Sequence, residues 1–215
     1  MLMCLKKSHP SKTSILLVDD HAIMRVGLAS LLNTFDDFSV VGEAENGPVA
    51  LAKAKLLRPD VIIVDLLMPG MDGVETTRRL VEENPDVRIL ILTTFGTSDG
   101  ISHALEAGAR GALLKNAEIE ELTSAIRAVA AGKRYVSHEL RRIIAEDPPV
   151  QDLTPRQQEI LSAIVRGLTS VDIAKTLRIS PSMVREHTSA LFRKLGAANR
   201  AEAVSIAHRK HLLKD

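Results

Sequence analysis

The sequence Val61-Ile-Ile-Val runs directly into Asp65, and this stretch constrains the fold more than any other. A continuous run of β-branched apolar residues, followed by Pro69 and Gly70, is typical of a strand buried on both faces of a parallel sheet. A carboxylate at the C-terminal end of such a strand lies where open α/β sheets bind ligands. For Asp65 taken alone, a cap of the following turn is the favoured role, so a functional role depends on the other strands.

Four further apolar runs repeat this pattern, and helical patterns fill the gaps between them. Pro or Gly follows most of the helical segments, as expected at helix ends. Repeated β-α units predict a doubly wound α/β domain, with a five-stranded parallel sheet covered by helices on both faces. The other predicted strands are Ile15–Asp19, Ser39–Glu43, Val87–Thr93 and Gly111–Lys115, and the predicted helices are Met24–Asn33, Pro48–Leu57, Val74–Glu83, Ser98–Ala107 and Ala117–Ala131.

The polar residues at the strand ends are predicted to share one crevice, because the ends of parallel strands meet at one edge. Each has an ordinary alternative role, as a cap, a strand residue or a surface charge, but their combination favours a site. Adjacent carboxylates need a cation, and an all-oxygen ligand set suits Mg²⁺. A carboxylate beside such a metal can attack a phosphoryl group, whose charge the metal, a hydroxyl and a lysine would stabilise. These residues are Asp19, Asp20, Asp65, Thr93 and Lys115.

Charge is distributed unequally along the 215 residues, although the formal net charge is only +1. Residues 150–215 carry 11 Lys and Arg against 6 Asp and Glu, a net of +5, which leaves −4 for residues 1–149. An acidic part joined to a basic part suggests two domains, of which the basic one could bind nucleic acid. The single cysteine, Cys4, excludes an internal disulfide and suits a reducing cytoplasm. No stretch approaches the ~20 apolar residues of a membrane span.

The last third of the chain predicts short helices with clear start signals. A helix capped by Ser137 is expected before Pro148-Pro149, which predict a semi-rigid spacer. Beyond it, a short helix, a turn and a longer helix have helix-turn-helix spacing. We therefore predict a disordered tail at 1–13, an α/β domain at 14–135, a connector at 136–152 and a small all-α, four-helix domain at 153–215. The start signals of the four helices are Thr154-Pro155, Thr169 to Asp172, Ser180-Pro181 and Asn199 to Glu202.

Residues 14–135 resemble the receiver domain of two-component response regulators. The motifs that carry the resemblance are VDD (18–20), DLLMPGMDG (65–73), LTT (92–94) and LLK (113–115). It implies the flavodoxin-like strand order 2-1-3-4-5 and a phosphoacceptor, Asp65, that a sensor histidine kinase phosphorylates. It also implies Mg²⁺ on Asp19, Asp20, Asp65 and the backbone carbonyl of Leu67, with Thr93 and Lys115 on the phosphoryl group. The sequence departs from the family pattern at Ala112, where many members have an aromatic switch residue, and at Asn116, where many have proline.

Residues 153–215 resemble the LuxR-type helix-turn-helix domain, on the motifs LTPRQQEIL (153–161), DIAKTL (172–177), ISPSMVREHTSALFRKLG (179–196) and NRAEAV (199–204). The two domains together resemble NarL/FixJ-type response regulators. This implies a transcription factor that binds promoter DNA and is not an enzyme. When phosphorylated, it is expected to form a homodimer, with its last helix, at 199–212, pairing the two copies. The expected DNA contacts lie on the third helix of the domain, at Ser182, Arg185, Glu186, Ser189, Arg193 and Lys194.

Two other classes of function remain open at this point. An aspartate-based phosphatase would also use Asp, Mg²⁺ and Lys, but it needs a second Asp on the same strand, and Asp65-Leu-Leu lacks one. A module whose helical domain binds protein would share the fold and would show no salt-sensitive binding to DNA. The phosphorylation-controlled transcription factor ranks first, in the cytoplasm and without membrane contact.

Overall fold

The computed structural model describes residues 12–94, 98–150, 153–210 and 212–213. These residues divide into two compact units, one within 1–96 and 100–142 and the other within 97–99 and 143–215. The predicted tail falls almost entirely on residues 1–11, which lie outside the described part of the chain.

Within the described residues, the first unit contains a six-stranded sheet in the order β2-β1-β3-β4-β5-β6, and every neighbouring pair is parallel. The predicted order of the first five strands, 2-1-3-4-5, is therefore confirmed. The strands are β1 (Thr13–Val18), β2 (Phe38–Ala44), β3 (Val61–Val64), β4 (Ile89–Thr93), β5 (Gly111–Leu114) and β6 (Tyr135–Val136).

Helices connect the successive strands of this sheet, as the β-α repeats predicted. All four residues of β3 are buried, and so are all five of β4, which explains their continuous apolar sequences. Asp72 caps α3 by accepting a hydrogen bond from the backbone N–H of Glu75, 2.8 Å away. The helices are α1 (Ala22–Leu32), α2 (Gly47–Leu57), α3 (Gly73–Glu83), α4 (Ser98–Glu106), α5 (Ile119–Ala130) and, after β6, α6 (His138–Glu146).

The structure corrects the predicted sheet at both ends of the domain. All five predicted strands are present, and Tyr135–Val136 adds a sixth strand beside β5. Two residues are too short to give a periodic signal in the sequence. Thr13 was assigned to the tail, but it begins β1, where its N–H donates to the carbonyl of Asp37 at 2.8 Å. The predicted cap of the following helix is confirmed, since the Leu140 N–H donates to the Ser137 hydroxyl at 3.2 Å.

In the second unit, the helices start where the sequence signals predicted. Thr154 and Gln157 form a capping box at the start of α7, and Thr169 and Asp172 form another at α8. The α9 helix begins after the cap residue Ser180 and ends at Gly196, which has a left-handed backbone conformation. The helices are α7 (Pro155–Val165), α8 (Ser170–Leu177), α9 (Pro181–Leu195) and α10 (Arg200–Arg209).

An aliphatic core holds these four helices together. Ile160, Leu161, Val184 and Leu191 are each fully buried in it. A polar contact that the sequence did not signal also ties α10 to α7, because the Arg200 guanidinium donates to the carbonyl oxygens of Ile164 and Leu168. In this way a side chain satisfies backbone acceptors where α7 ends. Across the described part of the chain, no helix has both the length and the hydropathy to span a bilayer.

Gly111 tests how tightly β5 and β6 pack. A Cβ atom at this position would lie 2.5 Å from the carbonyl oxygen of Tyr135. We expect Gly111→Ala to lower the free energy of unfolding by about 1–3 kcal/mol, because the backbone of β6 must move. Urea unfolding followed by circular dichroism measures this change.

Gly27→Ala is the matched control, because a Cβ at this exposed position of α1 meets nothing within 4 Å. Alanine should stabilise the helix there by about 0.5–1 kcal/mol. Equal effects of the two substitutions would contradict the close approach of β6 to Gly111.

Candidate functional site

Backbone hydrogen bonds fix the ends of four neighbouring strands, β1, β3, β4 and β5, at one edge of the sheet. The N–H of Asp65 donates to the carbonyl of Val18 at 2.8 Å, and the N–H of Lys115 donates to the carbonyl of Thr93 at 2.8 Å. Asp19, Asp65 and Lys115 each lie one residue beyond a strand, where the chain leaves the ladder and side chains can converge. The predicted convergence of the strand ends is therefore present.

The Lys115 ammonium lies between two buried carboxylates. Its Nζ atom is 2.6 Å from Oδ2 of Asp19 and 2.7 Å from Oδ2 of Asp65. The side chain of Lys115 is only 6% exposed, and that of Asp65 only 4%. At this burial the three charges depend on one another, because an isolated buried ion costs several kcal/mol.

Burial and the contacts between Lys115 and the carboxylates shift the pKa values of these groups in opposite directions. Burial raises the pKa of the Asp65 carboxyl, and the hydrogen bond from Lys115 offsets only part of that rise. Burial also lowers the pKa of the Lys115 ammonium, but its hydrogen bonds to Asp19 and Asp65 outweigh this effect and leave its pKa raised. The lysine therefore stays protonated, while Asp65 is a more basic carboxylate than an exposed one.

The loop from Asp65 to Gly73 is closed tightly behind the site. The N–H of Gly73 donates to the carbonyl of Leu66 at 2.9 Å, and a Cβ on Gly73 would clash with the carbonyl oxygen of Asp65. Only glycine allows α3 to begin this close to the end of β3. The N–H of Leu67 points at Oδ1 of Asp65 from 3.4 Å, so the loop backbone also faces the carboxylate.

Asp19, Asp20, His21 and Asp65 form a cluster in which one ligand atom of each lies within 4.8 Å of all the others. Oδ1 of Asp20 is buried, with no hydrogen bond from the described residues, and Nδ1 of His21 lies 2.9 Å from it as an ion-pair partner when the imidazole is protonated. A buried carboxylate oxygen without a donor is unfavourable unless a cation compensates for its charge. These residues therefore fit a divalent cation bound by oxygen ligands.

The remaining predicted residues take different positions around the cluster. Thr93 ends β4 and is fully buried, whereas Thr94 is exposed, in keeping with the choice of Thr93 for the site. Arg25 was missed by the sequence interpretation. Its guanidinium donates to the carbonyl of Asp19 at 2.6 Å and lies 3.6 Å from Glu43. Its place in the first turns of the helix that follows the acidic pair was a signal that could have indicated this contact.

The predicted DNA-contacting residues lie on α9, and most of them are exposed. Lys194 is half-buried. Within the described residues, the Glu186 side chain forms no ion pair and no hydrogen bond. The exposed members are Ser182, Arg185, Glu186, Ser189 and Arg193.

Two family models match the chain, one on each unit. Residues 15–127 match the response regulator receiver domain, and residues 151–207 match the bacterial regulatory proteins of the luxR family. The chain belongs to the NarL/FixJ-type response regulators. It is therefore a DNA-binding transcription regulator with a receiver domain, as the sequence predicted.

Curated relatives match this response regulator over nearly their whole length. The transcriptional regulatory protein LiaR of Bacillus subtilis is 37% identical over 207 residues, which cover 93% of the chain and 98% of LiaR. The nitrate/nitrite response regulator protein NarL of Escherichia coli K12 is 36% identical over 214 residues, covering 95% of the chain and 99% of NarL.

Solved structures that match the chain over most of its length are also response regulators. The response regulator ChrA of a heme-sensing two-component system is 36% identical, with a TM-score of 0.58. The match covers 95% of the chain and 100% of ChrA. RcsB of Salmonella enterica serovar Typhimurium has been solved bound to a promoter in the presence of a phosphomimetic. It is 25% identical, with a TM-score of 0.70, and the match covers 91% of the chain and 98% of RcsB.

Replacing Lys115 tests the balance of charge in the site. We expect Lys115→Gln to lower the free energy of unfolding by about 3 kcal/mol at pH 7.5, because two buried carboxylates lose their counter-ion. Without the ammonium, the pKa of Asp65 in the folded protein rises further above its unfolded value. A carboxyl with a raised folded pKa loses stability as the pH rises, so the difference from the wild type should shrink towards pH 5.

Chemical denaturation of both proteins across this pH range measures the difference. Lys175→Gln is the control, because Lys175 is exposed on α8. A loss of stability for Lys115→Gln that stays constant with pH would argue against the raised pKa of Asp65.

Proposed function

We propose that Asp65 accepts a phosphoryl group and that its phosphorylation controls DNA binding by the second unit. The observation that carries this proposal is the placement of Lys115 Nζ within 2.7 Å of both Asp19 and Asp65 at the edge where β4 presents Thr93. An oxygen of the Asp65 carboxylate forms a bond to the phosphorus atom. The bond from phosphorus to the donor breaks, and its electron pair leaves with the donor group.

Three features of the chain support this chemistry at Asp65. The raised pKa makes its carboxylate a better nucleophile, while Lys115 keeps it ionised and in place. The ammonium can then donate to the transferred phosphoryl group, and the hydroxyl of Thr93 can donate to another of its oxygens. The rigid strand ends fix these donors before the reaction.

We assign a Mg²⁺ site to Asp19, Asp20, Asp65 and the backbone carbonyl of Leu67. When bound, the ion supplies positive charge that neutralises the phosphoryl oxygens. The convergence of the Asp19, Asp20 and Asp65 carboxylates, with a buried Asp20 oxygen that accepts no hydrogen bond from the described residues, supports this assignment. Oxygen ligands around an open position suit Mg²⁺, which retains several water molecules in proteins.

A sensor histidine kinase is the proposed donor. A partner that transfers a phosphoryl group to Asp65 must approach the edge of the sheet where α1 begins. The side chains of Ile23 and Val26 on α1 are 90% and 60% exposed. Exposed aliphatic residues beside an active edge are typical of a protein-binding surface, and they support docking of the kinase there.

The second unit is proposed to bind a promoter as a homodimer through α9. Its exposed Arg185 and Arg193 can contact phosphates or guanines, and Ser182 and Ser189 can donate to either. Pairing of two copies through 199–212 would match a palindromic site, and residue 211 of this segment lies outside the described residues. RcsB supports the proposal, since its dimers are bound to DNA in a solved structure.

Phosphorylation by acetyl phosphate tests the role of Asp65. Incubation with this donor and Mg²⁺ should add one phosphoryl group, detected by intact-protein mass spectrometry. EDTA should abolish the addition, because the acidic residues repel the donor when no cation is bound.

Asp65→Asn should remove the labelling, whereas Asp86→Asn, at an exposed position, should retain it. Equal labelling of the Asp65→Asn variant would show that the acceptor lies elsewhere. Continuous release of phosphate with turnover of a phosphomonoester would instead favour the phosphatase hypothesis.

Glu186 tests whether α9 reads bases. Because no described residue pairs with this exposed carboxylate, it is free to accept a hydrogen bond from the amino group of a cytosine. We expect Glu186→Ala to relax the preference at one base pair of each half-site by about 1–3 kcal/mol. Selection from a randomised DNA library measures the preference of each protein.

Glu159→Ala on α7 is the control, because Glu159 already pairs with Arg156 at 2.7 Å. Its preferred sequence should match that of the wild type. If Glu186→Ala also leaves the preferred sequence unchanged, Glu186 does not read a base.

A further inference from the structure

An exposed methionine lies in the first turn of α9. Met183 is the third residue of this helix, and it is 44% exposed. Among the described residues of the second unit, Val171 is the only other large hydrophobic residue with comparable exposure, at 56%. Both belong to the helix-turn-helix pair, Val171 to α8 and Met183 to α9.

The core of the second unit does not explain the choice of methionine at this position. In the described part of the chain, Met183 is neither buried in that core nor one of the partly buried residues that pack against it. Ile179 and Phe192, which lie before and after it in the sequence, do pack there. Single exposed hydrophobic residues are common on proteins, so the meaning of Met183 depends on what α9 faces.

The first turn of α9 is held by its cap, and the side chain of Met183 takes no part in it. The N–H of Met183 donates to the Ser180 hydroxyl at 3.2 Å, and the Ser180 and Ser182 hydroxyls are 2.9 Å apart. A thioether has no donor for a phosphate oxygen. In helix-turn-helix proteins, the N-terminal residues of the second helix contact base edges in the major groove. At such an edge Met183 offers an apolar group.

The surface around Met183 is complementary to DNA. Arg185 and Arg193 are exposed on the same helix, and their charges attract phosphates. Glu186 follows Met183 by three residues, so the two side chains are neighbours on the helix surface. Three residues advance a helix by about 4.5 Å, close to the spacing of about 3.4 Å between base pairs. Met183 and Glu186 are therefore spaced to meet neighbouring base pairs.

We infer that Met183 reads the 5-methyl group of a thymine in each half-site of the DNA. This methyl group is the apolar feature that a base presents in the major groove. A methionine side chain is flexible and polarizable, so it adapts its shape to such a group, and the contact removes apolar surface from water. The inference rests on the proposed binding of DNA through α9 and adds a thymine to the sequence that this helix selects.

Replacement of thymine by deoxyuridine tests the inference, because it removes only the methyl group. Each thymine of the DNA sequence selected by the full-length protein is replaced in turn in both half-sites. Fluorescence anisotropy then measures binding, after incubation of the protein with acetyl phosphate and Mg²⁺. For the wild type, one position should weaken binding about fourfold for each half-site, the effect of one buried methyl-sized group.

Met183→Ala should bind the thymine site more weakly and lose no further affinity when deoxyuridine replaces that thymine. Met183→Leu retains an apolar side chain of similar volume and should keep most of the effect of deoxyuridine. Val171→Ala is the matched control, since it removes the other exposed hydrophobic residue of the pair and should keep the effect in full.

The inference is overturned if no thymine position is sensitive in the wild type, or if Met183→Ala remains as sensitive as the wild type. In the second case Met183 contacts another part of the DNA or a second copy of the chain. Failure of the wild type to bind any selected DNA would also overturn the proposed role of α9, so the two failures are distinguishable.

Discussion

The ion pairs of Lys115 with Asp19 and Asp65 are the interaction on which the first unit depends. They join residues that follow three different strands, so their geometry exists only when β1, β3 and β5 are in register. The same contacts make the site sensitive to any new negative charge. When a charged group joins Asp65, the lysine must redistribute its hydrogen bonds, and a local chemical event becomes a change in the forces between strands.

Much of this arrangement could be predicted, because the sequence itself marks where each buried strand ends. A buried parallel strand is continuously apolar, so the first polar residue after it marks the edge of the sheet, as with Asp65 after Val61–Val64. The positions of Asp19 and Lys115 follow from the same rule. Helix starts in the second unit were equally accessible, since capping residues such as Thr154 and Thr169 act on their own neighbours.

What could not be predicted depends on contacts between residues distant in sequence. The pairing of β6 with β5 comes from a backbone approach that Gly111 permits, and Tyr135–Val136 alone carries no signal for it. The contacts of Arg200 with the end of α7 are of the same kind. The position of His21 is a different case: it follows the acidic pair in the sequence, but only the three-dimensional arrangement shows that its nitrogen faces the carboxylates.

The closed loop between Asp65 and Gly73 also determines where the chain tolerates extra residues. Surface loops usually accept insertions, because their backbone is free to move. Here the base of the loop has no such freedom, since α3 begins against the backbone of Asp65. Gly70, at the tip of the loop, has a positive φ of 75° and open space around it. An inserted residue is therefore compatible with the tip of this loop at Gly70 and excluded from its base at Gly73, although only a few residues separate the two.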